Sequence, residues 1–277
     1  MAQTVPLAAV PAAYVALAHR LADAARPVVA GHFRTPVAVD DKADSSPVTI
    51  ADREAETAMR AILSTEVPDH GVWGEEHGAV GMDRDWAWVL DPIDGTKAFI
   101  TGMPVFGTLI GLLHEGRPVL GVIDQPIMDE RWLGVAGQPS TFNGQPIRTR
   151  ACPGLSSASM YSTAPIMFNA ETEPRHRALA HGVKLFRWGG DCYVYGLLAS
   201  GFVDLVVEAG LKLHDFAALI PVIEGAGGIV TDWRGKPVDR DSDGSIVAAG
   251  DPATHAAALD ILSGRAGPAS PTRRGLG

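Results

Sequence analysis

The stretch Trp86-Ala87-Trp88-Val89-Leu90-Asp91-Pro92-Ile93-Asp94-Gly95-Thr96 decides how the rest of the chain is read. An apolar strand, Trp86 to Leu90, delivers Asp91 and Asp94 into a tight turn. Pro92 removes a backbone donor and fixes the turn, so both carboxylates fall on the same side of it. A carboxylate that ends an apolar strand is costly unless something compensates it, which sets Asp91 apart from ordinary loop aspartates. Carboxylates collect hard divalent cations. The N–H groups of a turn or helix start, here Gly95 and Thr96, collect phosphate. One short segment thus offers both halves of a metal-dependent phosphate site.

The chain around it has 277 residues, 46% hydrophobic and 20% charged, enough for a packed core in one large domain or two smaller ones. A net charge of −9 argues against a nucleic-acid binder, which would present a basic face. It leaves an anionic substrate open, because bound cations reverse the sign of a site locally. Cys152 and Cys192 fit a reducing compartment better than a disulfide scaffold. Met1 to Ala18 carries no charged side chain, but Pro6 and Pro11 interrupt it and no basic segment precedes it. It reads as the approach to a helix over Ala12–Val29 rather than a targeting segment. No apolar run reaches the ~20 residues that span a bilayer. The expectation is a soluble, cytoplasmic protein without a membrane partner.

Outward from the opening stretch, Asp40 to Pro47 is a polar, turn-rich loop whose composition suits a mobile lid, with an ordinary surface loop as the alternative. A helix follows over Ala51–Leu63, with Thr49 as N-cap and Asp52 and Glu54 in its first turn. Val72 to Glu76 ends a short strand. Val105–Leu113, Pro118–Gln125, Arg131–Ala136 and a strand near Pro146–Thr149 form an antiparallel meander, with a turn at Asn143-Gly144. From about Ala151 helix and strand alternate: strand Ser157–Ser162, helix Pro174–His181, strand Val183–Trp188, helix Cys192–Ser200, strand Val203–Val207, helix His214–Ala226, strand Gly228–Asp232. This change places a domain boundary near 150, giving 1–150 and 151–265, with a Gly-, Pro-, Ser- and Arg-rich tail at 266–277 expected to be disordered.

Glu75, Asp91, Asp94 and Asp215 stand at strand ends or helix starts, and Asp52 in a helix first turn. Taken singly, each is most simply a cap or a solvated carboxylate. Glu75 and Glu76 are neighbours and point in opposite directions on an extended backbone, so only one serves as a ligand. Gly225-Ala226-Gly227-Gly228 follows a helix and reads as its C-cap rather than a phosphate loop. His214 beside Asp215 reads as packing, since hard cations prefer oxygen.

Taken together these residues resemble the inositol monophosphatase superfamily of Mg²⁺-dependent, lithium-sensitive phosphatases. Gly74-Glu75-Glu76 looks like its G-E-E motif, and Trp88 to Phe99 looks like W-x-x-D-P-[IL]-D-G-T-x-x-F. Asp215 to Gly228 is similar to W-D-x-A-A-x-x-x-I-x-x-E-A-G-G, with His214 in place of the Trp and Phe216 after the Asp. The resemblance runs from about residue 12 to residue 262 and implies a layered αβαβα sandwich, five layers deep, usually a homodimer. It implies Glu75, Asp91, Asp94 and the Ile93 carbonyl as metal ligands, with Asp215 joining Asp91 and Asp94 at a second ion. It implies that Gly95 and Thr96 hold the phosphate, and that Asp52 and the Thr96 hydroxyl form the catalytic pair orienting the attacking water, beside Glu75. Glu208 matches the position that contacts the organic part of the substrate. Two or three Mg²⁺ would neutralise the phosphate, activate the water and stabilise the leaving oxygen during hydrolysis of a small-molecule phosphate monoester.

Arg187-Trp188-Gly189-Gly190-Asp191-Cys192-Tyr193-Val194-Tyr195-Gly196 and Val206 to Lys212 look like the histidinol-phosphatase branch. Histidinol phosphate carries an ammonium and an imidazole, and Asp191 and Glu208 would complement them. Asp191 is also a plausible N-cap of the helix that follows. The expected activity is therefore histidinol-phosphate hydrolysis in histidine biosynthesis. An inositol-1-phosphatase or broad polyol phosphatase is the alternative, and a regulatory binding protein on a phosphatase scaffold is a third reading. The intact carboxylates disfavour lost catalysis, and the acidic charge disfavours RNA contact.

Overall fold

In the computed structural model of the chain, residues 9–36, 38–41 and 47–264 are described. Helix α1 (Ala12–His32) buries Leu17, Ala18, Leu21, Ala22, Ala25 and Val29 along one face, the spacing of an amphipathic helix. Strands β1 (Val39–Asp41) and β2 (Pro47–Thr49) pair antiparallel, so the ends of the expected loop at 40–47 belong to a ribbon. The middle of that expected lid, and the expected disordered tail, lie outside the described residues. Helix α2 (Ile50–Glu66) starts as expected at Thr49, whose hydroxyl accepts from the Ala51 N–H while Asp52 accepts from the Thr49 N–H. This reciprocal capping box satisfies donors that the helix start would otherwise leave unpaired.

These two helices form the first layer. The second is a sheet of β3 (Gly71–Gly74), β4 (Gly78–Val80), β5 (Trp86–Asp94), β6 (Gly107–His114), β7 (Arg117–Gln125), β8 (Glu130–Val135), β9 (Thr141–Phe142) and β10 (Gln145–Pro146). Its order is β10-β9-β8-β7-β6-β5-β3-β4, antiparallel except where β3 runs parallel to β5. Asn143-Gly144 turns β9 into β10 with both residues at positive φ. The expected strand near 146–149 shrinks to Gln145–Pro146, because Pro146 cannot extend the ladder. Both faces are buried: Ile110 and Leu112 pack with Leu21 and Met59, while Leu109 and Leu113 pack with Phe216 and Val222 on the other side.

Past β5 comes the short helix α3 (Thr96–Ile100), and beyond the sheet α4 (Glu173–Gly182), α5 (Tyr193–Ala199), α6 (Leu213–Phe216), α7 (Leu219–Gly225) and α8 (Pro252–Leu262). The middle layer is α5, α6 and α7. The fourth is a sheet of β11 (Ser159–Ser162), β12 (Leu185–Trp188), β13 (Leu205–Glu208), β14 (Ile229–Thr231) and β15 (Ile246–Ala249), in the order β12-β11-β13-β15-β14. Helices α4 and α8 cover its outer face and complete the five layers.

Two expectations are corrected. The helix expected over His214–Ala226 is two helices, α6 and α7, broken at Ala217–Ala218. Pro221 has no N–H to give the carbonyl four residues back, at Ala217, so the ladder fails there. The broken segment lies on a row of glycines in register, Gly111, Gly121 and Gly134. A Cβ on Gly121 would stand 1.8 Å from the Ala218 carbonyl oxygen, and one on Gly134 2.2 Å from Pro221. Strand β15 and helix α8 were not anticipated. β15 enters between β13 and β14 antiparallel to both, so this sheet is mixed rather than the parallel one that simple alternation implies.

Candidate active site

Strand β5 loses register with β6 between Asp91 and Asp94. Pro92 cannot donate to the ladder, the Asp91 carboxylate takes the Ile93 N–H at 3.1 Å, and Thr108 donates to the Pro92 carbonyl at 2.8 Å. The bulge turns both carboxylates into the space above the sheet. Asp215, in the first turn of α6, meets them: one oxygen from each of Asp91, Asp94 and Asp215 lies within 4.8 Å of the others. A second group within the same distance joins Glu75, Asp91 and a nitrogen of His214. Glu75, Asp91, Asp94 and Asp215 are thus assembled around the shared Asp91.

Burial pushes the Asp91 and Asp94 carboxyls well above the usual carboxylate range, and neighbouring carboxylates push further: Glu75, Asp94 and Asp215 on Asp91, and Asp191 and Asp215 on Asp94. Asp215 is raised by burial against the opposing effect of His214, and Asp52 by burial. Mutually repelling carboxylates gathered on a buried Asp91, with Asp94, Asp215 and Glu75 half-buried around it, are what a hard divalent cation stabilises. The residues present therefore fit Mg²⁺. His214 is closer to this centre than the packing role expected of it. Its Nδ1 faces the Trp73 indole N–H at 3.4 Å, and its Nε2 lies 3.4 Å from Asp215 and 4.0 Å from Glu75. Indole can only donate, so Nδ1 is the acceptor and the Nε2 proton faces the carboxylates, which is an orienting role rather than ligation.

The structure does not pair Asp52 with Thr96. The Thr96 hydroxyl donates to the Ile93 carbonyl at 3.0 Å. The Asp52 Oδ2 is held by the N–H and hydroxyl of Thr49 at 2.8 and 2.7 Å, because Asp52 is the third helical residue of the capping box. Its Oδ1 is buried and has no protein partner among the described residues. Gly95 caps α3 with φ 85°, and the Asp191 side chain lies so close that a Cβ there would meet it at 2.9 Å.

Asp191 is not the cap of α5. It stands in the left-handed region at φ 42°, and the Cys192 N–H is taken instead by Asp94 Oδ2 at 2.6 Å. Asp191 and Glu208 line a small pocket of about 140 Å³ that opens onto Asp94 and Asp215. Thr163, Cys192, Tyr195 and the apolar Met167, Leu211 and Leu219 complete it, and no Lys, Arg or His lines it among the described residues. The Thr163 N–H and Tyr195 hydroxyl donate to the two oxygens of Glu208 at 2.9 and 2.8 Å. Burial pushes the Glu208 carboxyl up to about 7 and the Asp191 carboxyl up to about 6, the latter opposed by Lys97. A larger cleft of about 540 Å³ lies between α1 and β8–β9, away from these carboxylates. Its arginines Arg26 and Arg131 both engage buried Asp124, which docks α1 on the sheet.

Thr163 was missed in the sequence, Thr49 was read only as a cap, and Tyr195 was quoted within the motif without a role. Tyr195 stands four residues after Asp191, and that spacing was the available signal. Tyr193, in the motif itself, points away, to Glu130 at 2.7 Å.

The chain matches the model of the inositol monophosphatase family over residues 12–264. It belongs to the inositol monophosphatase family. Members are metal-dependent phosphatases, typically using Mg²⁺, so the chain is a phosphoric monoester hydrolase by kinship. It is 51% identical over 258 residues to the bifunctional phosphatase IMPL2, chloroplastic, of Arabidopsis thaliana, covering 90% of this chain and 75% of that protein. It is 35% identical to a histidinol-phosphatase of Chlorobaculum parvum, covering 84% and 90%. The structure of an inositol monophosphatase from Zymomonas mobilis superposes with a TM-score of 0.84 at 50% identity, covering 91% of this chain and 98% of that one. Among the described residues, no helix is long and apolar enough to cross a membrane.

Proposed function

We propose that this phosphatase prefers monoesters of a positively charged amino alcohol, with histidinol phosphate the leading substrate. The observation that carries this reading is the pocket beside Asp94 and Asp215, lined by the carboxyl groups of Asp191 and Glu208 with no basic side chain among the described lining residues, so that an entering cation would draw both carboxyls into their charged forms. An ammonium or imidazolium entering there gains charge-assisted hydrogen bonds. A neutral polyol would leave that charge unanswered.

Glu75, Asp91 and the Ile93 carbonyl would hold one Mg²⁺, and Asp91, Asp94 and Asp215 another, with a third ion admitted by the resemblance. When bound, the metal supplies charge to neutralise phosphate oxygens and lowers the pKa of water. The N–H groups of Gly95 and Thr96 hold the phosphate at the start of α3. Asp52 presents its unpartnered Oδ1 as the acceptor for the proton of the attacking water, while Thr49 fixes the other oxygen. Thr96 steadies the Ile93 carbonyl rather than the water. Tyr195 and Thr163 hold Glu208 against the organic part of the substrate.

A second reading, inositol 1-phosphate as the preferred substrate, is favoured by the Zymomonas structure, titled an inositol monophosphatase, at 50% identity. Measuring kcat/KM for both substrates with Mg²⁺ separates the two. The expected ratio is at least ~10-fold in favour of histidinol phosphate, which is about 1.4 kcal/mol of discrimination. The reverse order would sink the proposal. The homodimer belongs to the same reading and is supported by the resemblance and by the edge strand β12, which exposes Leu185 and Trp188. Light scattering checks it: a particle near the 29.1 kDa of one chain overturns it.

A further inference from the structure

Helix α2 carries two acidic side chains one turn apart on its buried face, Asp52 and Glu56. Glu56 has no part in the chemistry described above, yet it is wholly buried. Its Oε2 takes the Glu76 N–H at 2.7 Å, and its Oε1 takes the His77 N–H at 3.2 Å and the Arg60 Nε–H at 2.6 Å. The Arg60 guanidinium also donates to the Gly78 carbonyl. One carboxylate and its arginine therefore grip the backbone of the turn from β3 to β4 at Glu76, His77 and Gly78. Glu75 opens that turn, with its own N–H on the Leu90 carbonyl at 3.1 Å. Gly74 explains how the carboxylate gets in: a Cβ there would stand 1.8 Å from Glu56 Oε1. The glycine of Gly74-Glu75-Glu76 clears the way for Glu56, and the second glutamate contributes its N–H to it.

A buried carboxylate is retained at a cost unless its partners are well aligned donors. Here they are the Arg60 guanidinium and the backbone N–H groups of the two residues that follow Glu75. The helix that offers Asp52 thus also sets, one turn later, where Glu75 stands. We propose that Glu56 is a positioning residue that fixes the Glu75 carboxylate relative to Asp91 and Asp52, so that the cation site is formed before a cation arrives. Glu56 touches neither metal nor substrate. The proposal rests on the reading of Glu75 as a metal ligand, and its test keeps the two apart.

Mn²⁺ serves as the probe, with the free ion followed by electron paramagnetic resonance and no substrate present. Glu56→Gln should weaken Mn²⁺ binding roughly 10-fold or more, the usual size for a residue that orients a ligand. It should also speed hydrogen exchange across 74–78, measured by mass spectrometry on folded protein. Gly74→Ala disturbs the same contact from the other side and should act in the same direction. The double variant should be no worse than the poorer single, because both remove one interaction. If Glu75→Gln binds Mn²⁺ like the unaltered chain, the ligand reading fails. If Glu75→Gln weakens binding but Glu56→Gln does not, the positioning proposal is overturned. It is equally overturned if Glu56→Gln weakens binding while exchange at 74–78 stays unchanged. Should Glu56→Gln not fold, a folded Gly74→Ala with full Mn²⁺ affinity overturns it alone.

Discussion

The proposed site has a metal end and a leaving-group end, which share Asp94 and Asp215 but are built differently. At the metal end the carboxylates hang from backbone features: the bulge of β5, the end of β3, the first turns of α2 and α6. Each position follows from a proline, a cap or a glycine. At the leaving-group end position is relayed through side chains: Tyr195 and Thr163 hold Glu208, and Asp191 sits in a left-handed turn against Gly95. A backbone-built end tolerates little variation, whereas a relay can be retuned one side chain at a time. By this contrast the chemistry would be the harder of the two to change by substitution, and the choice of substrate the easier.

The comparison breaks most visibly at Asp91, which belongs to both ligand groups. Asp91→Asn should lower phosphate release at least ~10³-fold with every substrate and weaken Mn²⁺ binding in parallel. A loss confined to one substrate would contradict a metal role. Next in size is a pH effect at the other end. Folding raises the Glu208 carboxyl to about 7 from its ordinary 4.5, so the folded state binds a proton that the unfolded chain releases. Stability from this group is present below about 4.5 and is lost as pH rises through about 7, on the order of 3 kcal/mol in all. In metal-free protein Glu208→Gln should flatten the fall of Tm across that window, and equal slopes for both proteins would refute the assignment.

Asp191→Ala should cut kcat/KM for histidinol phosphate ~30-fold and for inositol 1-phosphate only ~3-fold, since a charge-assisted contact serves one substrate alone. Equal losses would move Asp191 to the phosphate end, beside Gly95. The smallest effect is expected at Tyr195→Phe, which frees one oxygen of Glu208: KM for histidinol phosphate should rise ~5-fold with kcat nearly unchanged. A fall in kcat instead would place Tyr195 in the chemical step.

The same contrast governs what the sequence could say. The carboxylates that the structure gathers were legible as positions because strand, proline, glycine and cap each leave a local mark: Asp91, Asp94, Glu75 and Asp215 stood out at strand ends and helix starts, their role as ligands came only with the resemblance, and Thr49 was read as a cap. That Thr49 rather than Thr96 holds Asp52 could not be read, because a hydroxyl's partner depends on how two segments meet. The relay at Glu208 joins β13, α5 and the end of β11, which only the small sheet brings together. The break between α6 and α7 is marked in the sequence by Pro221, which the expectation of one helix over His214–Ala226 left out of account. Strand β15 inserts between β14, the strand just before it, and β13 further back in the chain, so no local periodicity reveals its place.

The row of Gly111, Gly121 and Gly134 acts as a gauge block. It sets the height at which the segment carrying Asp215 rests on the large sheet, and so the bore of the cage that Asp215 closes over Asp91 and Asp94. A methyl group added at Gly121 would be a shim beneath the lid of that cage. If these carboxylates hold the cation as proposed, its size would be selected partly by residues that touch no cation. Shimmed variants should drift from Mg²⁺, which demands ligands at about 2.0–2.1 Å, toward larger ions, as competitive binding of Mg²⁺ and Ca²⁺ would register.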